Sequence, residues 1–358
     1  MLPWAIDRQT NPAPARFSAG AVVASYPVKI QQLDTTVEVE PNETVLDAAL
    51  RANVNIPYDC RSGVCGTCKC ALISGQVHMD DYLEVALEPE EVEQGFILAC
   101  RSRPTTSCEI QLLDTDAPSP APLVEETARV LSIQRPTHDI AVVKLKFDRD
   151  INFAFKSGQY AGIRFGELDE RYFSFANCPS DNVAEFHIRS VPGGKVSPVI
   201  YETLEAGSKA IVRGPRGLAY LREMHQGPIV LCAGGSGLAP VASILRMLAL
   251  TGSPRKVHLY FGVRAEEDVY LEEEILRLVK SIDGADATIV LSAPSGPSER
   301  RTGFLAQALD DDFTDFTGVK AYLCGPPIMI ETCRRVLLAK GLDRMDCHSD
   351  VFWTPESR

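Results

Sequence analysis

Four cysteines in the first third of the chain have a spacing that suits a metal centre. Cys60, Cys65 and Cys68 form a C-x4-C-x2-C pattern in YDCRSGVCGTCKC, and Cys100 follows in FILACRS. The first twenty residues lack the basic start and apolar centre of a signal peptide, which predicts a cytoplasmic protein, where disulfides are rare. The odd total of 11 cysteines also favours free thiols. These cysteines are therefore candidate ligands for zinc or for an iron–sulfur cluster.

The spacing favours the cluster over zinc. Four-cysteine zinc sites usually contain two C-x2-C pairs, and this segment contains one. The C-x4-C-x2-C pattern with a distant fourth cysteine resembles plant-type [2Fe-2S] ferredoxins. Gly63 and Gly66 would give such a loop the backbone freedom that it requires. Cys70 and Cys108 lie outside the pattern and are predicted to be packed thiols.

Two glycine-containing turns further along the chain could bind phosphate groups. HIRSVPGGKVS, from His187 to Ser197, leads from a strand through Gly193 and Gly194 into a helix whose first N–H groups suit a pyrophosphate. The preceding strand, RYFS, begins at Arg171, which could pair with the same phosphates. CAGGSGLAP, from Cys232 to Pro240, lies at the first strand-to-helix turn of an α/β segment, where such folds bind ligands. Each motif is weak alone, and their order along the chain makes them informative.

Three domains are predicted to position these residues. YPVKIQQ and TTVEVEP alternate like the strands of a hairpin, and ETVLDAALRAN has helical spacing. Six short alternating runs after a proline-rich spacer predict an antiparallel barrel, and strands alternating with helices from Pro228 onward predict a parallel sheet. The predicted segments are an N-terminal extension (1–25), a cysteine-rich domain (26–114), a linker (115–124), a barrel domain (125–224) and a parallel-sheet domain with a C-terminal tail (225–358).

Composition excludes several classes of protein. With 358 residues, 45% of them hydrophobic and 23% charged, the chain is typical of a globular protein with room for proper cores. A formal net charge of -12 argues against nucleic-acid partners and anionic membranes, both of which require clustered Lys and Arg. No apolar run approaches the roughly 18 residues of a membrane helix. We therefore predict a protein that binds neither nucleic acid nor membrane. It is also predicted to be monomeric on its own.

Together and in this order, the motifs resemble those of the ferredoxin–NADP reductase superfamily, in particular oxygenase reductases arranged as ferredoxin, FAD and NAD domains. The resemblance covers about residues 28 to 355. It implies a multidomain fold with an α+β ferredoxin domain of the β-grasp type, a six-stranded antiparallel β-barrel FAD domain and an α/β parallel-sheet NAD domain. It also implies a [2Fe-2S] cluster on the four cysteines.

The resemblance assigns flavin contacts to the barrel. The family motif R-x-Y-[ST] corresponds to RYFS, with Phe173 where the family has Tyr, so a ring is kept while the phenol hydrogen bond is lost. The expected FAD contacts are Arg171, Phe173, Ser174, His187, Arg189, Gly193, Gly194, Lys195 and Ser197.

The resemblance also assigns coenzyme contacts. GGSGLAP matches the family's G-G-[ST]-G-x-x-P turn, in which Pro suits the first turn of a helix. Cys324 would lie beside the nicotinamide C4 as a small polarizable side chain and not as a nucleophile. Asp350 and Phe352 match an acid-x-aromatic pair that reaches the flavin, and Phe352 is expected to cover the isoalloxazine until nicotinamide displaces it. The expected coenzyme contacts are Gly234, Gly235, Ser236, Gly237, Arg264, Gly325 and Pro326.

The coenzyme itself is predicted to be NADH, with NADPH as the alternative. Arg264, Arg300 and Arg301 could meet a 2'-phosphate, whereas the acidic residues at 266–268 would repel it. A hydride carries two electrons and a [2Fe-2S] cluster accepts one, so a flavin must connect them. The predicted path runs from NAD(P)H through FAD to the cluster and then to an external acceptor.

The residues alone do not identify the external electron acceptor. The resemblance favours a Rieske-type aromatic-ring-hydroxylating dioxygenase. The alternatives are a di-iron monooxygenase of the phenol hydroxylase type, and an iron–sulfur redox sensor that binds a partner without turnover. Residues 26–115 contain six Lys and Arg against fifteen Asp and Glu, a balance of -9. The terminal oxygenase is therefore expected to dock near the acidic ferredoxin domain through a basic patch.

Overall fold

A computed structural model describes residues 25–113, 124–149, 153–179 and 183–352, except 53, 55, 59, 60, 64 and 65. Cys60, Cys65, the N-terminal extension before residue 25 and nearly all of the predicted linker lie outside the described residues. The chain divides into two compact units, Met1–Pro120 and Ala121–Arg358.

The first unit is a mixed β-sheet with a helix packed on it. Its five-stranded sheet has the order β2-β1-β7-β3-β5, and β4 pairs with β6 in a small second sheet. The first two strands form the predicted antiparallel hairpin, and β7 runs parallel to β1. The elements are β1 (Tyr26–Ile30), β2 (Thr35–Val39), α1 (Val45–Arg51), β3 (Lys69–Ser74), β4 (Val77–Met79), α2 (Pro89–Glu93), β5 (Phe96–Leu98), β6 (Ser102–Pro104) and β7 (Cys108–Leu112).

Alternation of side chains explains why this sheet forms. Val28 and Ile30 on β1 and Ile110 on β7 are fully buried in one core, while their neighbours face outward. The helix α1 begins after Thr44, whose hydroxyl accepts a hydrogen bond from the Asp47 N–H at 3.1 Å. The backbone N–H of Leu46 donates to the Ala99 carbonyl at 3.0 Å, which ties α1 to the segment beside Cys100.

The second unit begins with a six-stranded antiparallel sheet of order β11-β10-β13-β8-β9-β12. A bridge between Phe175, just after β11, and Phe186 on β12 brings the two edges together, so the sheet is nearly a closed barrel. The six predicted strands are confirmed. They are β8 (Val124–Gln134), β9 (Ile140–Phe147), β10 (Tyr160–Phe165), β11 (Arg171–Ser174), β12 (Val183–Arg189) and β13 (Lys209–Arg216), with α3 (Ser197–Thr203) between the last two.

The rest of the second unit is a parallel sheet of order β17-β16-β15-β14-β18-β19. The order reverses at β14, so the carboxyl ends of β14, β15 and β18 meet at a switch point. Its elements are β14 (Ile229–Gly234), α4 (Leu238–Leu250), β15 (Val257–Val263), α5 (Glu272–Ser281), β16 (Ala285–Leu291), β17 (Arg301–Thr302), α6 (Leu305–Asp312), β18 (Lys320–Gly325), α7 (Pro327–Ala339) and β19 (Cys347–Val351).

Three elements of this part of the chain, β17, α6 and β19, were not predicted from the sequence pattern. β17 has two residues, and α6 begins without a side-chain cap and ends in three aspartates, so neither gives a clear periodic signal. The C-terminal tail was expected to differ from a helix, and residues 347–351 form the edge strand β19 instead. Within the described residues, no helix is both long and apolar enough to cross a membrane.

Candidate functional site

The two described cysteines of the pattern lie together in the first unit. Cys68 and Cys100 are both buried, and the Cys100 N–H donates to the Cys68 Sγ at 3.5 Å. An amide hydrogen directed at sulfur is the contact that stabilises a thiolate ligand. The Ala99 N–H donates to the Cys68 carbonyl at 3.0 Å, which holds the two segments in register. These residues fit half of a four-cysteine cluster site, and Cys60 and Cys65 lie outside the described residues.

The glycines of the cysteine loop have the geometry that such a site needs. Gly63 and Gly66 both have φ of +74°, in the left-handed region that favours glycine. A Cβ on Gly63 would lie 2.8 Å from the Tyr82 Cβ, and one on Gly66 would lie 2.9 Å from the Ala86 carbonyl oxygen. The loop is therefore pressed against the segment that follows β4, as a close-fitting cluster loop requires.

The other thiols of this unit behave as core residues. Burial, with a smaller contribution from Cys100, raises the pKa of the Cys70 thiol to about 12. Burial also raises the pKa of Cys108, whose thiol donates to the Thr106 carbonyl at 3.2 Å. Both side chains belong to the hydrophobic core, as predicted from their positions outside the pattern.

In the second unit, one hydrogen bond brings the flavin motif to the C-terminal strand. The Ser174 hydroxyl at the end of β11 donates to the Asp350 Oδ2 on β19 at 2.7 Å, across 176 positions of sequence. Ser174 is buried, whereas Arg171 at the start of β11 is exposed and donates to the Glu170 carbonyl. The Phe352 N–H, two residues beyond Asp350, donates to the Gly325 carbonyl at 2.8 Å. The motif serine and the acid-x-aromatic pair therefore lie in one place.

The two aromatic residues of RYFS face opposite sides of β11. Phe173 pairs with Ala161 and packs against the barrel core, so its ring faces inward. Tyr172 is 52% exposed, and its ring lies 5.8 Å from that of Tyr160 and 5.7 Å from the Arg216 guanidinium. The Arg216 Nε is buried with no hydrogen-bond partner among the described residues. An open ring beside an unsatisfied guanidinium N–H fits an aromatic, anionic cofactor, and the sequence motif did not single out Tyr172.

The glycine turn before α3 leaves space for phosphate groups. Gly193 has φ of +71° with no atom within 4 Å of a Cβ position, and a Cβ on Gly194 would approach the Val191 carbonyl oxygen at 2.9 Å. The Ser197 hydroxyl accepts a hydrogen bond from the Val191 N–H at 3.1 Å, which closes the turn around Lys195. Residues 193–197 therefore form an ordered turn that fits the proposed phosphate contacts.

His187 and Arg189 point away from the barrel core toward other elements of the second unit. His187 is buried, with its Nδ1 3.0 Å from the Tyr270 hydroxyl, and the Arg189 Nε donates to Asp139 at 2.7 Å. Arg189 and Asp139 line the cleft described below. Both residues already hold protein partners, and their role as flavin contacts stays a prediction.

The coenzyme turn requires glycine, at some positions because of close packing and at Gly235 because of its positive φ. A Cβ on Gly237 would lie 2.0 Å from the Cys324 carbonyl oxygen, and one on Gly234 would lie 2.6 Å from the Met329 Sδ. Gly235 has φ of +54°, while Gly325, with φ of +150°, lies against the Gly234 backbone. The predicted coenzyme glycines on β14 and β18 thus meet at the switch point of the sheet.

A cleft opens at this switch point. It is lined by the carboxyl ends of β14, β15 and β16, which is where open α/β sheets bind ligands. Predicted contacts Gly234, Gly235, Arg264 and Pro326 line it, and so do Tyr270 and Phe304, which no motif indicated. Phe304 is 69% exposed in a part of the fold where most large apolar side chains are buried. The cleft fits a dinucleotide in position and in lining.

Cys324 lies at the carboxyl end of β18, opposite Asp350 on β19. It is fully buried, and burial together with the charge of Asp350 raises the pKa of its thiol well above the ordinary value. A protonated, enclosed thiol agrees with the expected packing role and not with a nucleophile.

The arginines proposed to discriminate between coenzymes differ in their surroundings. The Arg300 guanidinium donates to Glu266 at 2.8 Å and to both oxygens of Glu272, and these carboxylates raise its pKa. Arg301 is ion-paired with Asp311 and Asp312 at 2.7 Å each. Arg264 is exposed at the cleft. Two of the three arginines are thus neutralised by acidic neighbours.

Three domain families match successive parts of the chain. Residues 28–105 match the 2Fe-2S iron-sulfur cluster binding domain, residues 127–220 the oxidoreductase FAD-binding domain and residues 231–335 the oxidoreductase NAD-binding domain. Together with the geometry above, they define an iron–sulfur flavoprotein oxidoreductase. Its cofactors are a [2Fe-2S] cluster, FAD and NAD(P)H.

Relatives cover the chain almost from end to end. The reductase component of a naphthalene 1,2-dioxygenase/salicylate 5-hydroxylase system from Ralstonia sp is 36% identical over 90% of this chain and 98% of its own. Phenol hydroxylase P5 protein from Acinetobacter pittii is 35% identical over 92% and 94%. A solved cytochrome P450 reductase from Amycolatopsis superposes with a TM-score of 0.70 at 33% identity, covering 91% of this chain and 98% of that one. The chain belongs to the family of NAD(P)H-dependent reductase components that these proteins represent.

The exposed ring of Phe304 leads to a prediction about coenzyme binding. Phe304→Ala is expected to raise the KM for NADH about 10-fold with little change in kcat, because a cleft ring covered by the coenzyme contributes binding without touching the reacting atoms. Steady-state kinetics with ferricyanide as acceptor would measure both constants. Leu250→Ala is the matched control, since Leu250 is 64% exposed at the end of α4 and does not line the cleft. An unchanged KM in Phe304→Ala would contradict the assignment.

Proposed function

We propose that this protein is an NADH-dependent reductase that delivers single electrons to a Rieske-type aromatic-ring-hydroxylating dioxygenase. The observation that carries the proposal is the placement of a cysteine-loop unit and a flavin–coenzyme unit in one chain. Relatives named for naphthalene and toluate dioxygenases support the choice of acceptor. FAD and NADH supply the two-electron to one-electron conversion. The proposed cluster ligands are Cys60, Cys65, Cys68 and Cys100.

The chain's residues would hold the reacting groups in register and exclude water from them. Arg171, Ser174 and the turn at 193–197 would hold the flavin, with Tyr172 as an additional ring contact. The switch-point glycines, Arg264 and Pro326 would hold the coenzyme. Asp350 would keep the C-terminal strand beside the flavin motif through its 2.7 Å hydrogen bond to Ser174.

NADH is proposed as the coenzyme because carboxylates already pair with Arg300 and Arg301. Of the three arginines, this leaves only Arg264 to meet a 2'-phosphate. Glu266, which pairs with Arg300, adds negative charge to the same segment. We expect kcat/KM to be at least about 10-fold higher with NADH than with NADPH, since Arg264 alone, close in sequence to the carboxylate of Glu266, would offset little of the charge of a 2'-phosphate. Equal constants for the two coenzymes would reverse the proposal.

The acidic unit offers a specific docking surface beside the cysteine loop. Leu83 is 41% exposed, and its N–H donates to the Gly63 carbonyl at 2.9 Å. Asp81 and Glu84 are exposed on either side of Leu83. The Arg101 Nε donates a hydrogen bond to the Asp81 carbonyl. An acceptor with an apolar centre and a basic rim would place its own redox group near the cluster ligands.

The rate of electron transfer to a basic acceptor is therefore expected to fall as the salt concentration rises. With cytochrome c as the basic probe, raising NaCl from about 0.02 to 0.5 M should lower the second-order rate at least about 5-fold, because screening removes the attraction between exposed charges. Asp81→Asn/Glu84→Gln should weaken the salt dependence, and Asp34→Asn/Glu38→Gln, with the same charge change on the first hairpin, should leave it nearly intact. A rate indifferent to salt in the unsubstituted protein would contradict the charged docking surface.

The same salt titration with purified oxygenase components would test the acceptor. A di-iron monooxygenase of the phenol hydroxylase type is the second candidate. Relatives named for phenol hydroxylase and for propane 2-monooxygenase, the latter from Rhodococcus jostii and 32% identical over 93% of both chains, support a monooxygenase as acceptor. Reduction of a Rieske component at a rate well above that of a di-iron component would support the proposal, and the reverse order would favour the second candidate. Failure of NADH to bleach the flavin under anaerobic conditions would instead indicate a redox sensor.

A further inference from the structure

A chain of buried polar side chains crosses the second unit between β12 and the parallel sheet. On β12, Ala184, Phe186 and Ile188 belong to the barrel core. Glu185 and His187 alternate with them and face the opposite side, toward α4 and Tyr270. Glu185, His187 and Tyr270 are each less than 7% exposed. Of these residues, only His187 belongs to a sequence motif.

The contacts form a continuous series. The Tyr270 hydroxyl lies 3.0 Å from the His187 Nδ1, and the His187 Nε2 lies 3.4 Å from the Glu185 Oε1. The same Glu185 oxygen accepts a hydrogen bond from the Arg246 Nη1 at 2.8 Å. The Arg246 Nε in turn donates to Glu274 at 2.7 Å, at the beginning of α5. The series thus joins β12 of the barrel to α4 and α5 of the parallel sheet.

Proton positions in the series follow from charge and burial. Burial favours a protonated Glu185, but the hydrogen bonds from His187 and Arg246 and the charge of Arg246 outweigh it and hold the pKa of the carboxyl below its ordinary value. Burial lowers the pKa of His187, so the neutral ring carries one proton, and because a carboxylate only accepts hydrogen bonds this proton is assigned to Nε2. Nδ1 is then an acceptor, and the single hydroxyl hydrogen of Tyr270 is shared between His187 Nδ1 at 3.0 Å and the Gly235 carbonyl oxygen at 3.4 Å.

The upper end of the series reaches the coenzyme turn. The Tyr270 hydroxyl lies 3.4 Å from the Gly235 carbonyl oxygen, and the Tyr270 ring lines the coenzyme cleft. At the lower end, the Arg246 Nη1 donates to the Ala176 carbonyl at 2.7 Å, two residues beyond the flavin motif. One set of side chains therefore contacts both the turn proposed to hold the coenzyme and the strand end proposed to hold the flavin.

We propose that Tyr270 and His187 are positioning residues that fix the coenzyme turn relative to the flavin strand. Hydride transfer depends steeply on the separation of the two rings, so a displacement of one turn by a fraction of an ångström lowers the rate more than it lowers coenzyme affinity. His187 acts here through Tyr270 and needs no contact with either cofactor. The inference concerns the NADH-to-flavin step and does not depend on which acceptor the cluster serves.

Tyr270→Phe tests the proposal with little risk to folding, since it removes one hydroxyl from a packed ring. We expect the limiting rate of flavin reduction by NADH, measured by anaerobic stopped flow, to fall about 10-fold while the NADH dissociation constant changes less than about twofold. His187→Leu should have a similar effect. The double variant should be no slower than the slower single variant, because both remove the same connection. Tyr260→Phe is the matched control, since that buried hydroxyl on β15 donates to Asp312 outside the series.

A second readout does not depend on turnover. Amide hydrogen exchange at residues 234–238 is expected to be faster in Tyr270→Phe than in the unsubstituted protein and unchanged in Tyr260→Phe, because the turn loses a neighbour that holds it. Unchanged flavin-reduction rates and unchanged exchange in both Tyr270→Phe and His187→Leu would overturn the proposal. Equal slowing in Tyr260→Phe would also overturn it, by showing a general loss of stability. If the unsubstituted protein failed to reduce its flavin with NADH, the proposed function would fail separately from this inference.

Discussion

Cys100→Ala is expected to abolish electron transfer to cytochrome c, with a loss of at least about 1000-fold, while leaving reduction of ferricyanide by NADH nearly unchanged. Cys100 is buried and its N–H points at the Cys68 sulfur, so water is kept from the thiol that is proposed as a ligand. Removing one of four thiolates leaves the irons incompletely held. The flavin and coenzyme residues belong to the other compact unit, which explains why hydride oxidation should survive.

The experiment compares two cysteines of similar burial in one unit. Cys108→Ala removes a core thiol outside the ligand pattern, and we expect it to retain full iron content, visible absorbance and a paramagnetic signal on reduction. Cys100→Ala should lose all three. A Cys100→Ala protein that still reduced cytochrome c at the normal rate would show that the flavin passes electrons outward directly. Zinc in place of iron in the unsubstituted protein would contradict the ligand assignment itself.

Much of this fold can be predicted because its elements have regular periods. The helix α4, Leu238–Leu250, coincides with the predicted run LAPVASILRMLAL, since glycine precedes it and an apolar face continues through it. The six barrel strands are short apolar or alternating runs separated by Gly, Pro, Asn and Asp, and the structure contains all six. The edge strand β19 could not be predicted, because its five residues are all half-buried and have no alternating pattern. Its pairing to β18 is what forms it.

The site shows a similar division between local and long-range information. Glycines such as Gly237 stand out in the sequence because they form a motif that no other residue can replace. A Cβ on Gly237 would lie 2.0 Å from the Cys324 carbonyl oxygen, so no side chain is tolerated there. The inward orientation of Phe173 depends on the register of β11 against β10, and short motifs do not encode register. Tyr270 and Phe304 are isolated residues without a motif, and only the folded cleft brings them beside the glycine turn. The ion pairs of Arg300 likewise join residues 28 and 34 positions apart.

Asp350→Ala is expected to slow hydride transfer from NADH to the flavin about 100-fold, because it removes the bond that holds the C-terminal strand against the flavin motif. The buried Ser174 hydroxyl donates to the half-buried Asp350 at 2.7 Å, and a carboxylate makes this a charge-assisted hydrogen bond. Asp350 also lies opposite Cys324, so its loss would loosen the place proposed for the nicotinamide. Ser174→Ala should slow the same step by a similar factor.

Kinetic isotope effects would identify the affected step. With NADH deuterated at the transferred position, both variants should show a larger primary isotope effect on turnover, since a slowed hydride step becomes rate-limiting. Asp346→Ala is the control, because Asp346 immediately precedes the same C-terminal strand and pairs with Lys320 on β18, away from Ser174. If Asp346→Ala slowed hydride transfer as much as Asp350→Ala, general loosening of β19 would explain the result. An effect confined to Asp350 and Ser174 would instead show that this single contact aligns the coenzyme with the flavin, because the rest of the strand is unchanged.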